Sequence, residues 1–216
     1  MKTLKSEEGA STLDYLRNER GFSDEAIDAF HVGFCPQGAG HQLAGRIITP
    51  IYNPYGTAVA LSTRFQDKDH PSRFWHESFE KGYYLYGLHL AKHNMIKFGK
   101  AVLVEGEFDV ICLHSFGINV TVGICGSAFS IYQAALLSRY CSEIYLVLDS
   151  DISGQKTVER AKSMFQKYGM ALEQLKFITV VLPPKMDPDD YVIKHGRVGF
   201  IRLLQQSRNK AEDLFA

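Results

Sequence analysis

The sequence predicts an α/β protein: a mostly parallel sheet flanked by helices, preceded by a smaller N-terminal α+β subdomain. Three observations carry that prediction. Short runs rich in apolar residues fall at 101–104, 118–122, 144–148 and 177–182, each followed by a stretch of helical periodicity or by a chain break. Strands so apolar are buried on both faces, which belongs to a parallel sheet covered by helices. The stretch before residue 100 has a different texture, with two short helical segments and then β-like alternation around a turn. Finally, 45% of the 216 residues are hydrophobic and 12% aromatic, enough to fill such a core and too much for a disordered chain.

Taken in order, Ser11 starts a helix holding Leu13 and Leu16, which Gly21 ends. Ser23-Asp24-Glu25 starts the next, with Ile27 and Phe30 on its apolar face. Gly38-Ala39-Gly40 marks a loop. Residues 45–65 read as β-structure: Ile47-Ile48 and Pro50-Ile51, the turn Asn53-Pro54-Tyr55-Gly56, then Val59, Leu61 and Thr63. Residues 66–82 are polar, aromatic and irregular, and the aromatic group around Trp75 is expected to fix them. Helices are expected at 88–96, 108–116, 130–140, 153–168 and 200–206, between the strands named above. Pro183-Pro184 stops the last strand. The expected domains are 1–98, 99–206 and a tail at 207–216.

Several function classes are disfavoured. No apolar run approaches the ~20 residues that span a bilayer, and the first residues lack a signal-like apolar region, so a cytoplasmic protein with no membrane partner is expected. The four cysteines, Cys35, Cys112, Cys125 and Cys141, are dispersed among apolar neighbours without a C-x-x-C pair. They are expected to be buried reduced thiols, with no zinc in this chain. The eight histidines show no paired ligand spacing. A formal net charge of zero argues against tight passive binding to DNA.

The chemistry-bearing pattern is acidic. In open α/β sheets, ligands bind beyond the carboxyl ends of the strands. Glu105 and, one helical turn on, Asp109 follow the strand at 101–104. Asp149 and Asp151 follow the strand at 144–148, and Asp187, Asp189 and Asp190 follow the one at 177–182. Like charges crowded on one sheet edge raise each other's pKa unless a cation neutralises them. Hard carboxylate oxygens suit Mg²⁺ or Mn²⁺.

Glu105-Gly106-Glu107-Phe108-Asp109, followed by Asp149-Ser150-Asp151, resembles the Toprim signature shared by primases, topoisomerases and several nucleases. Gly123-Ile124-Cys125-Gly126-Ser127, Asp151-Ile152-Ser153-Gly154 and Asp187-Pro188-Asp189 with Lys194-His195-Gly196 are similar to the bacterial DnaG-type primase. So are Arg20-Gly21-Phe22-Ser23, Phe30-His31-Val32-Gly33-Phe34, Gly45-Arg46-Ile47-Ile48-Thr49-Pro50-Ile51 and Leu85-Tyr86-Gly87-Leu88 upstream. The resemblance runs over nearly all of residues 11–206. It implies a Toprim-type fold in which Glu105, Asp149 and Asp151 are the principal catalytic and metal-site acids, completed by Asp109, Asp187 and Asp189. It implies that Arg46, Arg64, Arg73 and Lys81 contact template or nucleotide. Two departures stand out. Glu107 occupies a usually aromatic position. Ala60-Leu61-Ser62-Thr63 replaces a glycine-rich approach to Arg64, which leaves less room for nucleotide.

What the resemblance implies is RNA primer synthesis from ribonucleoside triphosphates on a single-stranded DNA template, with Mg²⁺ or Mn²⁺. A replicative helicase and a separate zinc-ribbon module are the implied partners. A chain with this set of motifs fits a compact phage or plasmid primase, or a fragment. The rivals are a Toprim nuclease using the same acids for hydrolysis and a non-catalytic nucleic-acid-binding adaptor. The primase-like first half speaks against the nuclease, and the mutually repelling acids speak against the adaptor. A topoisomerase would require a further domain carrying its strand-cleaving tyrosine.

Overall fold

A computed structural model describes residues 4–39, 42–126, 129–147 and 175–213. The first half folds around a four-stranded antiparallel sheet in the order β1-β2-β3-β4: β1 Gly33–Phe34, β2 Ile47–Tyr52, β3 Ala58–Arg64 and β4 Phe74–His76. Helices α1 (Ala10–Asn18) and α2 (Asp24–Ala29) precede it. Ser23 caps α2 by accepting the Ala26 N–H at 3.2 Å. The turn between β2 and β3 forms where the sequence predicts it, since Asn53 Oδ1 accepts the N–H groups of Tyr55 and Thr57 at 2.9 and 3.0 Å. Pro50 is tolerated inside β2 because β1 pairs only with Ile47 and Ile48, leaving that side of the strand open at Pro50.

β4 lies in the stretch expected to be irregular. It forms because Trp75 and its neighbours continue the sheet beside β3, with Thr63 paired to Trp75 and Arg64 to Phe74. Thr63 Oγ1 also donates to the Trp75 carbonyl at 3.0 Å. Three residues are too few for periodicity to reveal, and the pairing partner is supplied by the tertiary structure.

The second sheet has five strands in the order β5-β7-β6-β8-β9: β5 Leu85–Tyr86, β6 Lys100–Val104, β7 Thr121–Ile124, β8 Glu143–Val147 and β9 Lys176–Val180. All neighbours are parallel except β5, which runs antiparallel to β7. The edge strand β5 thus comes from before residue 98. Around the sheet lie α3 (Leu88–Phe98), α4 (Glu107–Ser115), α5 (Ile131–Leu137) and the C-terminal α6 (Pro188–Asp213).

Two boundaries differ from expectation. β7 begins at Thr121 rather than at 118, because Gly117 turns left-handed (φ 77°) and the Ile118 N–H donates back to the Leu113 carbonyl at 2.9 Å. Ile118 therefore closes α4 instead of opening the strand. The last helix begins at Pro188, well before 200, and is broken at Gly196 (φ 67°, ψ 177°). Proline suits the first helical position, where its missing N–H costs nothing. The expected helix at 153–168 lies outside the described residues.

One core spans both halves, joining Phe22, Ile27, Phe30 and Ile51 to Tyr86, Val104, Phe108, Ile111 and Val180. A second lies on the sheet's other face under α3 and α5, around Leu88, Met95, Leu103, Leu137 and Leu146. Among the described residues, no helix is long and apolar enough to cross a membrane.

Candidate active site

β6 is buried from Ala101 to Val104 and delivers the chain to Glu105 at its carboxyl end. Gly106 then starts α4, and its N–H donates to Asp109 Oδ2 at 3.1 Å. A side chain at Gly106 would put its Cβ 2.8 Å from that same oxygen, so any larger residue there would push the Asp109 carboxylate aside. Beyond β9 the chain reaches Asp187, whose carbonyl accepts the Tyr191 N–H in the first turn of α6.

These elements face a cavity of about 850 Å³ between the two sheets. One wall is acidic: Glu105, Glu107, Asp109, Asp187 and Asp189. The basic lining is Arg64, Lys68, Arg73 and His76 from the antiparallel-sheet half and Lys81 from the turn before β5, with Arg20 beside Asp189. Phe108 links the walls. The Arg64 guanidinium lies over its ring at 4.1 Å and that of Arg20 at 5.4 Å, while Phe22 packs edge-on at 5.1 Å. A ring held in this way presents its electron-rich face to two cations and fixes where they lie.

Burial pulls the Arg64 pKa down to about 10, with repulsion from Arg73 contributing, so Arg64 remains charged at neutral pH but poorly solvated. A desolvated cation gains most from an incoming anion. Burial also lowers the pKa of His76, which keeps that imidazole neutral near pH 7. Burial opposes the charge on Arg20, yet Asp189, Tyr15 and Asp109 hold its pKa above the ordinary arginine value. The Cys125 thiol on the cavity wall is pushed up by burial and by Glu107, which keeps it protonated.

The structure therefore gathers Glu105, Asp109, Asp187, Asp189, Arg64, Arg73 and Lys81 around one cavity. Asp149 and Asp151 lie outside the described residues. Arg46 is placed elsewhere: only 5% exposed, it donates to the carbonyls of Ser72 (2.8 Å) and Arg73 (3.3 Å) and lies over Phe65 at 4.0 Å. It braces the entry to β4, beside Arg73. Asp189 is also specialised. Its Oδ2 pairs with Arg20 and its Oδ1 accepts the Asp190 N–H at 2.8 Å. Arg20, Lys68 and His76 are cavity residues that motif spacing alone does not mark. Arg20 stands in the Arg20-Gly21-Phe22-Ser23 segment, the one available signal.

The donor set fits a hard divalent cation. Among the described residues, Asp187, Asp189 and Asp190 can each offer one carboxylate oxygen, all within 4.8 Å of one another.

A parallel sheet whose strand ends carry carboxylates, faced by a basic antiparallel sheet, defines a Toprim-type catalytic scaffold. Residues 102–192 match the Toprim-like family. The chain is 30% identical over 244 residues to the DNA primase of Synechococcus elongatus, an alignment covering 95% of this chain and 35% of that protein. The E. coli primase catalytic core superposes with a TM-score of 0.82 at 25% identity, over 95% of this chain and 75% of the other. The RNA polymerase domain of Mycobacterium tuberculosis primase DnaG, in complex with double-stranded DNA, gives a TM-score of 0.78 at 26% identity, over 94% and 75%. The chain belongs to the DnaG-type primase family and corresponds to its catalytic core. It spans about a third of the length of the curated relatives it matches. The family is generally metal-dependent.

Proposed function

We propose that this core makes RNA primers on single-stranded DNA, joining ribonucleoside triphosphates in template order. The supporting observation is the single cavity in which carboxylates at the β6 and β9 ends face Arg64, Arg73, Lys68 and Lys81. Nucleotidyl transfer needs both walls. The primer 3′-hydroxyl attacks the α-phosphorus of the incoming nucleotide and pyrophosphate leaves, so negative charge builds on the phosphates.

Arg64, held over Phe108, and Lys81 bind those phosphates and offset that charge. Arg73 and Lys68 extend the basic wall for template or triphosphate. Glu105, Asp109 and Asp187, with Asp149 and Asp151, would hold Mg²⁺ or Mn²⁺. A divalent cation so held supplies charge neutralisation and acidifies the attacking hydroxyl. Asp189 ties Arg20 to the start of α6 and keeps the acidic wall in place. The DNA complex of the mycobacterial domain supports a nucleic-acid ligand for this fold. A replicative helicase and a separate zinc-ribbon module are the proposed partners, acting by raising the local concentration of the core at its template, and the cytoplasm is the proposed compartment.

The test is a gel assay with the purified chain, a single-stranded DNA template, labelled ribonucleoside triphosphates and Mg²⁺ or Mn²⁺. Template-dependent RNA products support the reading. Cleavage of the DNA without synthesis would replace it with a nuclease. Neither activity, together with no thermal stabilisation by either cation, would leave an adaptor.

A further inference from the structure

The 3-10 turn Lys81–Tyr83 carries a feature that the cavity does not use. Lys81 lines the cavity, but two residues on Tyr83 stacks on Tyr132 of α5, ring centroids 4.3 Å apart and 28° from parallel. The rings remain 49% and 54% exposed. A half-exposed pair adds little burial, so packing alone gives a weak reason for two tyrosines there.

The pair is held firmly from below. Gln133 Nε2 donates to the carbonyls of Tyr84 (2.7 Å) and Lys81 (3.3 Å), and Ser130 Oγ donates to the Gly82 carbonyl. The stem of Lys81 lies against Gly126. The turn and α5 thus form one unit that places a cation in the cavity and an aromatic stack outside it. On the lining of the same cavity β4 presents Phe74, 56% exposed, with Arg64 and Arg73 over its ring at 5.3 and 5.1 Å. Basic groups interleaved with exposed rings suit a strand whose phosphates are neutralised while its unpaired bases stack.

We infer that Tyr83 and Tyr132 form a stacking platform for an unpaired base of single-stranded DNA where the strand passes beyond Lys81. The inference rests on the primase reading above. A nucleoside triphosphate held by the cavity's basic wall has its phosphates inside, whereas the platform lies outside. A base reaching it belongs to a strand long enough to touch both places. The template is the strand present before the first bond is made. Because the stack is already ordered by α5, receiving a base costs little further side-chain freedom.

The experiment uses the full chain and oligodeoxythymidine carrying one 5-iododeoxyuridine, irradiated at low salt, with adducts mapped by peptide mass spectrometry. In parallel, the Kd for the same oligonucleotide is measured by fluorescence anisotropy for wild type, Tyr83→Ala, Tyr132→Ala and Tyr83→Phe, with a melting curve for each. Adducts on Tyr83 or Tyr132 are expected. Either Ala variant should bind roughly fivefold to 150-fold more weakly, the worth of stacking one base. Tyr83→Phe keeps the ring and should bind like wild type. If an Ala variant melts early, the adduct site on the wild-type chain decides. Adducts confined to other residues would overturn the platform, as would Ala variants that bind normally or crosslinking to an iodouridine RNA but not to the DNA. Each of those results leaves the primase reading standing. A wild-type chain that binds no single-stranded DNA would overturn both.

Discussion

Replacing Arg20 with alanine tests the contact that joins the first helices to the C-terminal helix. Arg20 and Asp189 are 169 residues apart in sequence, and their side chains are 17% and 3% exposed. In Arg20→Ala the Asp189 carboxylate stays buried and keeps only the Asp190 N–H. Breaking a buried pair from one side costs about 3–5 kcal/mol, and the residual exposure of Arg20 places this case near the lower end. The guanidinium also lies over Phe108, a contact worth about 0.5–1 kcal/mol. The sum is roughly 3–4 kcal/mol, or a fall in Tm of about 6–16 °C for a chain of this size. Urea unfolding followed by circular dichroism in EDTA measures it without a contribution from bound metal. The control is Arg17→Ala. Arg17 pairs with Asp24 at 2.7 Å on the surface, with side chains 41% and 50% exposed, and its loss should leave the unfolding midpoint close to that of the wild type. The double replacement Arg20→Met with Asp189→Leu should recover much of the loss, since neither charge is then stranded. If Arg20→Ala falls no further than Arg17→Ala, the buried pair does not hold these segments together.

Three further outcomes follow from the same geometry. Glu105→Gln and Asp187→Asn should each reduce primer synthesis at least about 100-fold and diminish the rise in Tm given by Mn²⁺; full synthesis by either variant would remove that acid from the site. Arg64→Ala and Lys81→Ala should each weaken DNA binding and reduce the slope of log K against log salt by about 1, as expected for one lost phosphate contact. Finally, His114 lies edge-on to Phe30, centroids 4.9 Å apart, and donates through Nε2 to the Thr121 carbonyl at 2.9 Å. Burial depresses its pKa to about 4, so its contribution is complete above about pH 6.5 and is lost as the pH falls from there towards 4, because the unfolded chain takes up the proton first. His114 alone should account for about 1 kcal/mol of the fall in stability between pH 8 and pH 5.5, alongside His89, whose pKa burial also depresses to about 4, so a His114→Asn variant should show a flatter but not flat profile in pH-dependent urea titrations.

The sequence by itself determined the class of fold and the gathering of Glu105, Asp109, Asp187 and Asp189 at one sheet edge. Strands β6 and β8 are runs of apolar residues that can be stable only when covered on both faces, so the parallel sheet was legible from local pattern. Glu105, Asp109, Asp187 and Asp189 follow strand ends at short spacing, and a parallel sheet puts its strand ends on one edge, so their convergence was legible too. The turn at Asn53 was written in residues whose side chains bond their own backbone. What only the tertiary structure decided is pairing at long range. β4 exists because β3 offers it a partner. Arg46 became a brace because the carbonyls of Ser72 and Arg73 come within its reach, while Arg73, beside them, entered the cavity. Arg20 was drawn to Asp189 across almost the whole chain. Periodicity records which face of an element is buried, whereas the partner of a charged side chain is fixed by how separate elements pack, and no local spacing encodes that distance.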